Sequence, residues 1–185
     1  THSVRSTPCR PFDFRKLPRV SRQEAVLINA LHRYLPPGVF SEDLHHSLEA
    51  AIAAELGDFS FSVARLLTVE TALYLPTLPN PGLYLVIGLQ PLEEKGFCEI
   101  DMTLAHSMVD RLLGGKGEPL RTHRALTELE EGVVSFLALK ILAQFYERCG
   151  RSARVHFRLQ EICSSPEEIA RFAPKNERMV VLTLQ

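Results

Sequence analysis

The sequence has no tryptophan, four cysteines, no long hydrophobic run and no excess of one charge sign. The cysteines are scattered and form no Cys-x-x-Cys pair, which excludes a disulfide-stapled scaffold and favours reduced thiols in a cytoplasmic protein. A net charge of −1 excludes the basic surface expected of a dedicated nucleic-acid-binding protein. No apolar run approaches the roughly 18–20 residues of a membrane span, so direct membrane insertion is not expected.

What the chain does contain is typical of one globular domain, with 185 residues, 45% hydrophobic and 23% charged. It begins at Thr1 without a methionine and ends inside a predicted strand, so we expect it to be one domain of a longer protein. Residues 1–20 are predicted to form an irregular basic leader. This segment contains five Lys and Arg residues, one acidic residue, Asp13, and three prolines. Such a leader is either a solvated tail or a contact for an acidic partner.

Apolar periodicity predicts the order of helices and strands. We expect helices at 21–35, 41–56, 102–113 and 127–147, and strands within 59–75 and at 83–89, 96–100, 154–163 and 178–184. In the helix at 102–113, we expect one apolar stripe made of Leu104, Met108, Val109, Leu112 and Leu113. The side chains of His106, Ser107, Asp110 and Arg111 are expected to face away from it. The helix at 127–147 is so apolar that it should be largely buried at the centre of the domain.

The second half of the chain resembles the first at an offset of about 95 residues. In each half a helix is followed by a strand, a segment containing a proline (Pro79 or Pro174) and a second strand. This pattern predicts an α/β (α+β) fold made of duplicated helix–strand–strand units related by pseudo-two-fold symmetry, around a central buried long helix.

Residues that could support catalysis or metal binding are poorly arranged for either. His45 and His46 are adjacent, and adjacent helical residues point about 100° apart, so they cannot easily chelate one metal. The remaining histidines have no ligand partner at metal spacing. There is no Gly-x-Ser-x-Gly elbow for a serine hydrolase. We therefore expect no catalytic residues, no metal and no cofactor.

A cluster of glycines, Gly114, Gly115 and Gly117 around Lys116, follows the helix at 102–113. A phosphate-binding loop would need to precede a helix and to end in Ser or Thr, whereas Glu118 and Pro119 follow here. Two interpretations stay open, a helix C-terminal cap alone or a cap that also docks a partner.

Several motifs in order resemble the middle domain of the FliM/SctQ (YscQ-like) family. They are Phe12-Asp13-Phe14-Arg15, Leu78-Pro79-Asn80-Pro81, Glu99-Ile100-Asp101 followed by residues 109–118, and Leu126-Thr127-Glu128. The resemblance runs from about residue 12 to the C-terminus. It implies a CheC-like fold for residues 21–185 as a single middle domain, with the family's C-terminal surface-presentation domain outside this chain.

The family has a flagellar branch and a branch in virulence-type secretion systems. Leu35-Pro36-Pro37 and residues 130–137 are more similar to the second. The main functional prediction is thus a non-catalytic scaffold in the cytoplasmic ring, or sorting platform, of a type III secretion system at the base of the inner membrane. The resemblance implies SctK/SctL-like partners, FliN-like subunits for the full-length protein, and self-association in a ring. The alternative is the middle domain of a flagellar switch protein that binds FliG.

The resemblance also bears on catalysis and on the partner site. CheC-like phosphatases place a Glu and an Asn on the long helix, and the matching positions here are Phe136 and Leu139, which cannot hydrogen-bond a water. An enzyme is therefore not expected. The resemblance implies that the FliG-contacting surface of the family corresponds here to six residues, Asp110, Arg111, Gly114, Gly115, Lys116 and Gly117.

Overall fold

The computed structural model describes residues 42–57, 60, 62–118, 124–149, 155–173 and 176–184, together with the isolated positions 22, 25, 26, 29 and 33. Helix α1 (Glu42–Leu56) is followed by strand β1 (Val63–Glu70), short helix α2 (Thr71–Tyr74) and a 3-10 turn (Leu75–Thr77). Strands β2 (Leu83–Gln90) and β3 (Lys95–Ile100) lead to helix α3 (Met102–Leu112). Helix α4 (Glu128–Cys149), strand β4 (His156–Cys163), short helix α5 (Pro166–Ile169) and strand β5 (Arg178–Leu184) complete the order.

The helices and strands predicted from periodicity are confirmed from residue 42 onward. The basic leader lies outside the described residues, and so does most of the helix predicted at 21–35, whose five described positions are helical. Among the helices that the structure describes, none combines the length and apolar content needed to span a bilayer.

The strands form two antiparallel sheets. Strand β1 pairs with β5, with Leu67 opposite Val181. Strand β2 lies between β3 and β4, with Leu85 opposite Cys98 on one side and Ile162 on the other.

The predicted duplication is confirmed by these pairings. The series α1–β1–α2–β2 corresponds to α4–β4–α5–β5 at an offset of about 95 residues. A two-fold exchange of the halves converts the β1–β5 pair into the β4–β2 pair, and both pairs are present. Hydrogen bonds beside the strands also join the two halves, because the Thr71 amide donates to Glu177 O and the Gly82 amide donates to Ser164 O.

Strand β2 is buried on both faces. On one face Leu83 and Leu85 pack with buried residues of α3 and α4. On the other face Tyr84 and Val86 pack with the 3-10 turn, β4 and α5. Because successive side chains of a strand point to opposite sides, an uninterrupted apolar run is what such a position requires.

Helix α4 is buried on one face only. The prediction of a largely buried central helix is therefore right for that face and wrong for the opposite one. Val134, Leu137 and Ala138 lie in the core. The opposite face is exposed along the helix, although it is made of apolar or small residues apart from the tyrosine hydroxyl. We call it the α4 stripe, and it consists of Leu129, Gly132, Phe136, Leu139, Ala143 and Tyr146. The apolar residues on all sides of α4 therefore form two surfaces, one in the core and one exposed.

Helix α3 also departs from the prediction. His106 was expected to face away from the core, but it is buried with 3% of its surface exposed, because its ring bonds the Arg124 carbonyl. Leu104 and Leu113 were expected in the apolar stripe but are exposed. Leu113 is the C-terminal cap residue, where the backbone leaves helical geometry and carries the side chain off the buried face.

The one-sided burial of α4 predicts that truncating two leucines two positions apart will change the free energy of unfolding by very different amounts. Leu137 is 1% exposed and Leu139 is 54% exposed. Leu137→Ala should lower the free energy of unfolding by about 2–5 kcal/mol because it leaves a core cavity. Leu139→Ala, the matched control, should change it by less than about 0.5 kcal/mol. Urea denaturation measures both, and equal losses would contradict the one-sided helix.

Candidate docking site

Helix α3 begins and ends with well-formed caps. At its start, the Asp101 carboxylate accepts hydrogen bonds from the Thr103 and Leu104 amides and so caps the helix N-terminus. At its end, the Gly114 amide donates to Arg111 O and the Gly115 amide donates to Asp110 O. These two bonds with a left-handed Gly114 form a Schellman motif, so the glycine cluster begins as a helix cap.

Each of the three glycines has its own structural cause. Gly114 and Gly117 have φ values of +92° and +73°, which residues with a side chain rarely adopt. Gly115 lies against the Asp110 carboxylate, where a Cβ would come within 2.3 Å of its oxygens. We call residues 113–118 the glycine loop, and the capping bonds with these close approaches give it one defined conformation.

Asp110 and Arg111 fasten the glycine loop to the rest of the fold. The Asp110 carboxylate accepts a 2.7 Å hydrogen bond from the Gly117 amide. The Arg111 side chain lies under Gly117, and its guanidinium donates to the Leu56 carbonyl at the end of α1. Lys116 is exposed at the tip. The structure therefore brings together all six residues predicted from the sequence, with two of them supporting the loop from beneath.

An apolar groove adjoins the glycine loop, between the end of α3 and the first turns of α4. Its volume is about 360 Å³. The side chains of Leu113, Leu129 and Phe136 are all exposed along it. We call it the α3–α4 groove, and its complete lining is Leu112, Leu113, Glu128, Leu129, Gly132, Val133 and Phe136.

The start of α4 is fixed by Glu130. Its carboxylate receives two hydrogen bonds from the Arg124 guanidinium, at 2.6 and 2.7 Å, and one from the Thr127 amide at 2.8 Å. The Thr127 hydroxyl in turn accepts a bond from the Glu130 amide, which completes a capping box. Mainly because of the Arg124 hydrogen bonds, the pKa of Glu130 falls to about 2.

The sequence predicted the glycine loop but not the groove beside it. Thr127-x-x-Glu130 is a recognisable capping-box spacing and could have identified Glu130. Nothing in the sequence distinguishes the exposed Phe136 from the buried Leu137 next to it, because both are apolar residues in an apolar helix.

The geometry gives little support to phosphatase catalysis or to metal binding. Phe136 and Leu139, at the positions matching the phosphatase Glu and Asn, are exposed on the α4 stripe and offer no hydrogen-bonding group. Within the described ranges, no three His, Cys, Asp or Glu residues lie together as metal ligands.

The change Glu130→Gln should destabilise the fold in a pH-dependent way. In the folded protein the pKa of Glu130 is about 2, below its ordinary 4.5, so folding stabilises the ionised carboxylate. That contribution is present above about pH 4.5 and is lost as the pH falls toward 2. The variant should unfold more readily than wild type at neutral pH, and the difference in unfolding free energy should shrink across this window.

Glu128→Gln is the matched control, because it removes the same charge at the same end of α4 without touching the Arg124 pair. It should leave the pH profile of the unfolding free energy close to that of wild type. A Glu130→Gln deficit that is equally large near pH 7 and near pH 3 would show that the ionised carboxylate is not the cause.

Comparisons with known proteins agree on one family. The family model for the flagellar motor switch protein FliM matches residues 41–185. The FliM proteins of Treponema pallidum and Borreliella burgdorferi are each 27% identical over 94% of this chain, covering 48% and 47% of their own lengths. The chain thus spans about half the length of these relatives.

Solved structures show the same fold. FliM in the crystal structure of the Helicobacter pylori FliG–FliM complex matches with a TM-score of 0.69 and 19% identity, over 89% of this chain and 86% of that one. The H. pylori FliM middle domain matches with a TM-score of 0.65 and 17% identity, over 89% and 84% of the two chains. The expected CheC-like α/β fold is confirmed.

The preference for the secretion branch is not supported by any of these relatives, and the flagellar alternative fits them better. Of the two features behind that preference, only residues 130–137 have a structural account. Leu35-Pro36-Pro37 lies outside the described residues, and residues 130–137 include the capping Glu130 and the core residues Val134 and Leu137. Their identities are therefore constrained by the start and packing of α4. The chain belongs to the FliM family of flagellar motor switch proteins.

Proposed function

We propose that this chain is the middle domain of a flagellar motor switch protein and that it docks FliG through the glycine loop and the α3–α4 groove. The observation that carries the proposal is their adjacency. A loop of defined conformation ends directly beside three exposed large apolar side chains. Protein interfaces commonly combine an apolar centre of this kind with a polar rim.

The polar rim of this surface comes from the loop and the two helix ends. Asp110, Arg111 and Lys116 lie on the loop side, and Glu128 lies on the α4 side. Both signs of charge are present, so the rim favours orientation of a partner more than nonspecific attraction. Because the loop is already bonded to α3, docking would require little ordering of the backbone, and preorganisation of this kind strengthens binding.

A crystallised relative supports the choice of partner. The H. pylori FliM chain that shares this fold was crystallised in a complex with FliG. For the present chain, FliG binding, a place in the cytoplasmic ring at the flagellar base and self-association in that ring are parts of the proposal. Binding to FliN-like subunits is assigned to the portion of the longer relatives that this chain does not span.

We assign the domain a scaffolding role without catalysis. The family is named for motor switching, and an apolar face occupies the part of α4 where the related phosphatases carry their Glu and Asn. Phe136 and Leu139 can contribute contact area there, but they cannot orient an attacking water.

Gly115→Ala should weaken FliG binding while leaving the domain folded. The added Cβ would collide with the Asp110 carboxylate, which must then release the Gly117 amide and let the loop change shape. We expect a loss of affinity of about tenfold or more, equivalent to about 1.4 kcal/mol. Isothermal titration calorimetry with purified FliG measures it.

Gly96→Ala is the matched control, because a Cβ on Gly96 in strand β3 meets its nearest neighbours at 3.8–3.9 Å, an ordinary contact. Circular dichroism should show both variants folded. If Gly115→Ala binds FliG as tightly as Gly96→Ala does, the loop conformation is not what FliG recognises.

Leu113→Ser tests the groove separately from the loop. Leu113 is 64% exposed beside the groove, whereas Leu73 is 70% exposed on helix α2. If FliG covers the groove, Leu113→Ser should lower its affinity by about tenfold and Leu73→Ser should have no effect. Equal affinities of the two serine variants would remove the groove from the docking surface.

A further inference from the structure

The buried His106 ties the far end of the α3–α4 connection to helix α3. Its Nε2 lies 3.1 Å from the carbonyl oxygen of Arg124, 18 residues further along the chain. A carbonyl oxygen only accepts hydrogen bonds, so Nε2 carries the proton and donates it. The bond therefore fixes the backbone just before α4 to the middle of α3.

Arg124 is held a second time through its side chain. The guanidinium donates two hydrogen bonds to Glu130 on α4. Glu130 Oε1 also lies 4.0 Å from His106 Nδ1, which is buried and has no hydrogen-bond partner among the described residues. Backbone and side chain of one residue are thus clamped between the two helices that form the groove walls.

The two ends of the connection are therefore anchored to one helix. The near end is fixed by Asp110, which bonds the Gly117 amide. The far end is fixed by His106, one helical turn earlier, and positions i and i+4 on a helix are about 5–6 Å apart. Because both anchors belong to the same rigid element, the glycine loop and the start of α4 cannot shift independently while both bonds persist.

We propose that His106 is a positioning residue of the docking surface. It holds the start of α4, and with it Leu129 and the groove wall, in register with the glycine loop. The inference rests on the proposed FliG docking, since His106 itself is buried and acts through Arg124. Its hydrogen-bonding Nε2–H is the group that matters, more than the volume of the ring.

The test compares three substitutions of His106 that differ in where they place a donor. Gln can present an N–H at the position of Nε2, Asn places it one bond short, and Leu has none. His156→Leu on the exposed start of β4 is the matched control. Calorimetry with FliG reports docking, and hydrogen exchange of the amides at 124–127 reports the anchor in the free domain.

We expect His106→Leu and His106→Asn to bind FliG about tenfold more weakly and to exchange the 124–127 amides about tenfold faster. His106→Gln should restore both quantities to within about twofold of wild type, as should His156→Leu. Restoration by Gln separates positioning from mere filling of the core, because Leu fills the site as well as Gln does. If the Leu variant does not fold, the Asn and Gln pair decides.

The possible failures are distinguishable. If the wild-type domain does not bind FliG, the proposed function fails, and unchanged exchange in His106→Asn would also overturn the anchor. If the wild type binds FliG and His106→Asn binds it equally well, the docking site stands and the positioning role is overturned. The same follows if Gln behaves no better than Asn.

Discussion

The burial of both faces of strand β2 is the constraint on which the other elements depend. One face needs a cover from α3 and α4, and the other needs the 3-10 turn, β4 and α5. A strand in that position cannot carry a charge on either side without a large desolvation cost. The apolar run at residues 83–87 therefore determines the layering of the domain, and it places α3 and α4 side by side.

The proposed docking surface follows from where those two helices must end. Packed on β2, α3 and α4 leave a shallow gap between the end of one and the start of the other, and the chain must cross that gap. Capping bonds complete each terminus, so the crossing begins at Gly114 and ends at Thr127, which the capping box with Glu130 holds at the start of α4. The same hydrogen bonds that cap the two helix ends thus shape the surface proposed for docking.

Sequence reasoning succeeded where one residue type allows one structure. The apolar periodicity predicted the elements, the internal offset predicted the pseudo-two-fold pairing, and the glycines predicted the loop. It failed where a side chain's environment depends on a distant segment. His106 was placed outward because a polar residue beside an apolar stripe usually faces water, and its bond partner lies 18 residues away. The exposed groove was missed because apolar residues in α4 serve both the core and the surface.

The exchange of strands between the two halves has a consequence for how the protein is made. Strand β1 pairs with β5, and β2 pairs with β4, so each sheet joins a segment synthesised early to one synthesised late. The first helix–strand–strand unit therefore has no complete sheet of its own while the ribosome is still translating the second. Contacts of such long sequence separation slow folding, because the intervening chain must be closed before they can form. During that interval the apolar strand β2 lacks its β4 neighbour, and an exposed apolar strand of this kind favours aggregation until residue 163 has emerged.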